Sequence, residues 1–191
     1  MEYTATESKK YKQASIGTHT GICFLIADIG TQLVQFAGDE DKMVRQIMLG
    51  WELPDEKTDE GKPLSIYKTY TLSFNEKASL AKNYKAWTKE SAPKKFNIGQ
   101  LLGKGCNLNI GHTSGGNAKV TGVSALKANE KIPPLSVYTV IYDLREPDPE
   151  ALNALPPFIR EKIEGSPEYK EWLAGGNAKA GAGELDDEIP F

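Results

Sequence analysis

Ile47, Leu49, Trp51 and Leu53 fall at every second position of segment 43–53, the spacing that buries one face of a β-strand. Two further strand-like runs flank it. Residues 20–29 form a short apolar run, and 64–74 is rich in β-branched and aromatic types. Pro54 through Pro63 is polar and turn-rich and reads as a loop. The period then changes. Leu80, Tyr84 and Trp87 recur three or four residues apart in 75–88, with Asn75 placed as N-cap and Glu76 in the first turn. This stretch therefore reads as an amphipathic helix. Its other face carries Lys77, Lys82, Lys85 and Lys89. Residues 97–103 read as a helical turn closed by Gly103. Segments 105–113 and 117–126 read as strands joined at Ser114-Gly-Gly-Asn117, a hairpin signal. Residues 136–144 read as a last strand.

The order is three strands, a helix, a hairpin and a final strand. A mainly β chain in this order fits an OB-fold, a five- to six-stranded Greek-key barrel with an inserted helix. The expected organisation is a loose N-terminal segment 1–19, an OB-fold domain 20–146, a helical extension 147–173, and a flexible linker with an acidic tip, 174–191. In the extension, short helices break at Pro156-Pro157, and Ser166-Pro167 starts another. Residues 174–183 are small and of low complexity.

At 191 residues the chain holds one compact domain with appendages. The longest apolar run, Ile22–Ala27, is far short of the roughly 20 residues of a membrane helix. No signal peptide is visible, and two cysteines give no disulfide framework, so a cytoplasmic protein without a membrane partner is expected. The net charge of −3 conceals a segregation. Residues 1–61 carry −5 and residues 132–191 carry −7. Residues 62–131, with 12 lysines against 3 glutamates, carry +9. Such a block concentrates a polyanion locally even on an acidic protein.

The last six residues are Asp186, Asp187, Glu188, Ile189, Pro190 and Phe191. Three acids before a terminal Ile-Pro-Phe arise by chance about once in a few million chains at average residue usage. This segment resembles the C-terminal tip of bacterial single-stranded DNA-binding proteins. The resemblance implies that the tip docks replication and repair enzymes. Phe191 would anchor in a pocket, Pro190 limits the entropy lost, and the acids steer toward basic surfaces. The body, over roughly 20–170, resembles phage-encoded single-stranded DNA-binding proteins. The resemblance rests on Ile26-Ala-Asp-Ile-Gly30, Gly50-Trp-Glu-Leu-Pro54, Tyr70-Thr-Leu-Ser-Phe-Asn-Glu-Lys-Ala78, Leu101-Leu-Gly-Lys-Gly-Cys106 and Leu155-Pro-Pro-Phe-Ile-Arg-Glu-Lys-Ile163. It implies an OB-fold that coats single-stranded DNA during phage replication, recombination and repair in the bacterial host cytoplasm. A homo-oligomer is compatible with it.

Binding of single strands needs cations along a backbone track and aromatic faces on which bases stack. Tyr67, Lys68, Tyr70, Lys82, Lys85, Trp87, Lys94, Lys95, Lys104 and Lys119 are the candidates. Tyr67 is the better stacking residue, because its parity is opposite to that of Ile66, Tyr70 and Leu72. Trp51 and Phe74 read as core, and Tyr84 and Trp87 also suit packing of the helix on the barrel.

No enzyme, cofactor or metal is expected. His19, Cys23, Cys106 and His112 lack the spacing of a zinc site. Gly99 to Lys104 is too short for a phosphate loop and lacks the Ser or Thr that would hold magnesium. Asp55 and Glu60 with Lys62 leave a metal-dependent nuclease as an alternative, although all three lie in one polar loop. A protein-recruiting OB-fold adaptor without DNA binding is the other.

Overall fold

One strand organises the molecule. In a computed structural model, which describes residues 11–35, 40–90 and 97–175, β1 (Gly17–Val34) lies at the centre of the sheet. β2 (Lys42–Lys57) and β3 (Pro63–Thr71) follow it on one side. β4 (Gly105–His112) and β5 (Ala118–Ser124) follow on the other, so the order is β3-β2-β1-β4-β5, all antiparallel. β4 pairs only with Gly17–Ile22 of β1. Beyond it, the short β6 (Val140–Tyr142) runs parallel to Leu25–Ala27. The fold is mainly β, a six-stranded open sheet carrying four helices.

Both faces of the sheet are covered. On the inner face Ile47, Leu49, Trp51 and Leu53 of β2 meet Leu108 of β4 and Val123 of β5. The helix α1 (Ser79–Thr88) closes this core with Leu80, Tyr84 and Trp87, and a 3-10 turn at Ile98–Leu101 adds Leu101. The alternation of β2 and the 3–4 spacing of α1 are thus the visible imprint of one apolar core.

The outer face is covered by the C-terminal helices α2 (Pro149–Ala154), α3 (Pro157–Gly165) and α4 (Pro167–Ala174). Leu152, Leu155, Ile159 and Ile163 pack there on Leu25, Ala27, Ile29 and Met48. Residues 21–30 are therefore all buried. A strand buried on both faces reads as a continuous apolar run without alternation, as Ile22–Ala27 does. Bulges between Cys23 and Leu25 and between Asp28 and Gly30 shift which side chains face each core.

The extension is pinned at the second bulge. Gly30 has φ +71°, and a Cβ built on it would lie 2.6 Å from the Ser166 Cβ and 2.8 Å from a Leu144 methyl. Asp28 accepts the Gly30 N–H at 3.0 Å and pairs with Arg45 at 2.6 Å. Gln32 donates to the Lys162 carbonyl at 2.9 Å. Ser166, fully buried, caps α4 by accepting the Tyr169 N–H. Thr31 gives both its N–H and its hydroxyl to Glu168 in the first turn of α4.

Burial pushes the Glu168 carboxyl upward, but the Thr31 donors and Arg45 pull it down further, so it titrates below the usual glutamate range. A carboxyl depressed by folding contributes stability above its unfolded pKa and loses it as pH falls through the folded value. Glu168→Gln is expected to cost about 1 kcal/mol at neutral pH. The difference should shrink as pH falls through the depressed folded value. Urea titrations over a falling pH series check this.

Several sequence boundaries move. The Asn75 carboxamide accepts from Lys77 N–H and closes a preceding turn, while α1 begins at Ser79, with Ala78, three residues after Asn75, at its N-cap. β2 runs on to Lys57, and the turn is confined to the residues before Pro63, with Gly61 at φ +79°. The strand read at 136–144 shrinks to Val140–Tyr142, because Ser136 is held elsewhere: its N–H and hydroxyl both go to the buried Glu52 of β2. Within the N-terminal segment Ala14 is buried, and β1 already begins at Gly17.

Candidate nucleic-acid interface

β3 places its two tyrosines on opposite faces, as their parity requires. Tyr70 points inward and is 2% exposed. Its hydroxyl accepts from the Asn83 amide at 2.8 Å, and burial pushes its phenol upward. Tyr67 points outward. It is half-buried, with the Phe24 ring 6.0 Å away and the Phe158 ring of α3 5.1 Å away, both edge-on. Lys68 is half-buried too. Its ammonium lies 5.1 Å from the Tyr70 ring centroid, and desolvation lowers its pKa.

On α1 the residues divide by face. Trp87 is 6% exposed, donates its indole N–H to Gly105 O at 2.8 Å, and packs 6.2 Å from Trp51. Neither Tyr70 nor Trp87 offers a free ring face to a base in this structure. Their inward spacing, which made them look like core, outweighs the lysines beside them in the sequence. Lys82 and Lys85 are exposed, and with Lys89 at the C-cap they form a stripe on the solvent side of the helix. Lys104, also exposed, lies between the 3-10 turn and β4, in a cleft shared with Tyr84, Trp87 and Ile132.

Lys119 is exposed on β5 beside Ala118, where β5 approaches β3. The N-terminal segment lies along this seam. Tyr11 to Ala14 border a cleft of about 370 Å³ with Leu64, Ile66, Tyr67 and Ala118. His112 hydrogen-bonds the Ala14 carbonyl at 2.7 Å and His19 the Ser15 carbonyl at 2.9 Å. The Ser15 hydroxyl donates to Glu56. Tyr11, 78% exposed, and Lys12 thus join Tyr67 at the seam, between the strands that carry Lys68 and Lys119. Sequence reasoning missed both. The signal was the interleaving in Lys9-Lys10-Tyr11-Lys12, the same alternation of cation and aromatic that marks the middle of the chain.

The described candidate lysines therefore divide between the α1 face with Lys104 and the two strands of the β3–β5 seam, while Lys62 pairs with Glu60 and Lys127 lines a cleft with Asp55. Lys94, Lys95 and the tip Asp186, Asp187, Glu188, Ile189, Pro190 and Phe191 lie outside the described residues.

The remaining motifs have structural places. Gly99 to Lys104 forms the 3-10 turn and its exit, with the Asn97 side chain accepting from Gly99 N–H. Asp55 lines a polar cleft with His19 and Asn107, whereas Glu60 pairs with Lys62 in solvent at 3.1 Å. Among the described residues no three His, Cys, Asp or Glu side chains are grouped to hold a metal ion. Cys23 and Cys106 are fully buried. Burial pushes the Cys23 thiol up to about 12, against a smaller opposing contact with the Leu25 carbonyl. The native protein should accordingly give no reaction with a disulfide reagent at pH 8, and two equivalents after denaturation. Rapid labelling of the folded chain would contradict this packing.

No family model matches the chain, and no match was found among curated proteins or solved structures.

Proposed function

We propose that the chain is a non-enzymatic single-stranded DNA-binding protein on an OB-like Greek-key barrel, with an acidic tip that recruits replication and repair enzymes. The observation that carries the reading is topological. β1 is shared between β2 and β4, a helix is inserted between β3 and β4, and β3 approaches β5. That connectivity supports the reading of an OB-like Greek-key barrel. The lysines of α1 and the seam supply a backbone track, and Tyr11 and Tyr67 supply exposed or half-exposed rings beside it. The C-terminal helices brace the outer face of the sheet and narrow the surface on which a strand can lie.

Fluorescence titration with oligo(dT) tests the reading. With about four phosphate contacts, the single-strand slope predicts roughly a 50-fold loss of affinity between 50 and 200 mM NaCl. No binding at 50 mM NaCl would overturn it. A chain truncated after Gly183 should bind more tightly at the lower salt, because the acids of the tip compete with the strand for the lysines.

A further inference from the structure

A cleft of about 590 Å³ opens on the inner side of the sheet, near the start of β2. Its floor is apolar: Ile26, Ile47, Leu72 and Phe74. Its rim alternates in charge. Arg45 pairs with Asp28 at 2.6 Å, and Arg145 forks onto Asp143, with Nε 2.9 Å from one carboxylate oxygen and Nη2 on the other. The two cations and two anions cancel, so an isolated phosphate gains little here. An uncharged planar ligand with donors and acceptors along its edge finds both kinds of partner. Its faces would meet the apolar floor and the plane of a guanidinium held in place by its carboxylate.

One more polar group belongs to the same cleft. The Asn97 oxygen is taken by the Gly99 N–H at 3.0 Å, which leaves its amide nitrogen without a partner among the described residues. Phe74 leads directly into the turn before α1, the helix that carries the lysine stripe. An apolar slot with mixed donors and acceptors on a chain that also carries a cationic helix face is the chemistry of base recognition joined to phosphate recognition.

We infer that this cleft is a nucleobase site, filled by one base of the bound single strand and read by Arg145, Asp143 and Asn97. The inference rests on the single-strand reading above for its occupant. The test has two arms. First, oligo(dT) carrying 5-iododeoxyuridine is photocrosslinked to the full chain, and the adducts are mapped by mass spectrometry. Adducts are expected on Phe74. Second, thymidine and deoxyguanosine are titrated into ¹⁵N-labelled protein. The amides of Gly99, Ile141 and Arg145 are expected to shift, and Arg145→Ala, at an exposed side chain, is expected to weaken the nucleoside about tenfold. Adducts confined to the seam or to α1, with no nucleoside shifts at the cleft, overturn the site and leave single-strand binding standing. Cleft shifts in a chain that binds no oligonucleotide support the site and overturn the single-strand reading. Silence in both arms overturns both.

Discussion

Gly30→Ala is expected to destabilise the protein by about 3–4 kcal/mol. Two independent costs add at this position. The backbone sits at φ +71°, which a side chain adopts only with strain, and the new methyl would have to enter space already held by Ser166 and Leu144. Neither neighbour can retreat easily, because Ser166 is fully buried and joins α3 to α4. For a chain of this size the loss corresponds to a fall in melting temperature of about 10 °C. Scanning calorimetry measures it. A melting temperature within a degree or two of the parent would mean that the C-terminal helices do not rest on the β1 bulge.

Reversing the α1 stripe with Lys82→Glu, Lys85→Glu and Lys89→Glu together should weaken oligo(dT) binding at least about 100-fold at 50 mM NaCl. It should also flatten the salt slope by about 2, the share of three phosphate contacts. The fold should tolerate the change, since all three side chains are exposed. The loss of favourable charge at the helix C-terminus costs only about 0.3–1 kcal/mol. The seam variant, Lys68→Met with Lys119→Glu, is the comparison. A larger loss from the seam pair would move the strand's path to the β3–β5 side, and unchanged affinity in both would remove the lysines from the binding surface altogether.

What could be read from the sequence was whatever depends on near neighbours. The alternation of β2, the buried stripe of α1, the hairpin at Ser114–Asn117, the break at Pro156-Pro157 and the cap at Ser166 all follow from residues within one or two turns of each other. The outer core could not be read in that way. Tyr67 has the outward parity expected of it, but what it meets there is Phe158, from a helix far along the chain. The unbroken apolar run of β1 was visible, yet a short run of that kind does not say how many layers cover it. The N-terminal segment looked formless because its ties to His112 and Glu56 are tertiary. The arginine-bearing cleft was invisible for the same reason. Its residues come from β1, β2, the exits of β3 and β6, and the 3-10 turn, and no stretch of sequence contains enough of them to form a motif.

The position of β1 between two apolar layers has a consequence for how the molecule comes apart. The strand is a wall common to both, so peeling away the C-terminal helices exposes Leu25, Ala27 and Ile29 to water while leaving the opposite layer with an unsupported partition. Amide protons from Ile22 to Ile29 would then exchange only through opening of the whole body, and the two halves would melt as a single cooperative unit.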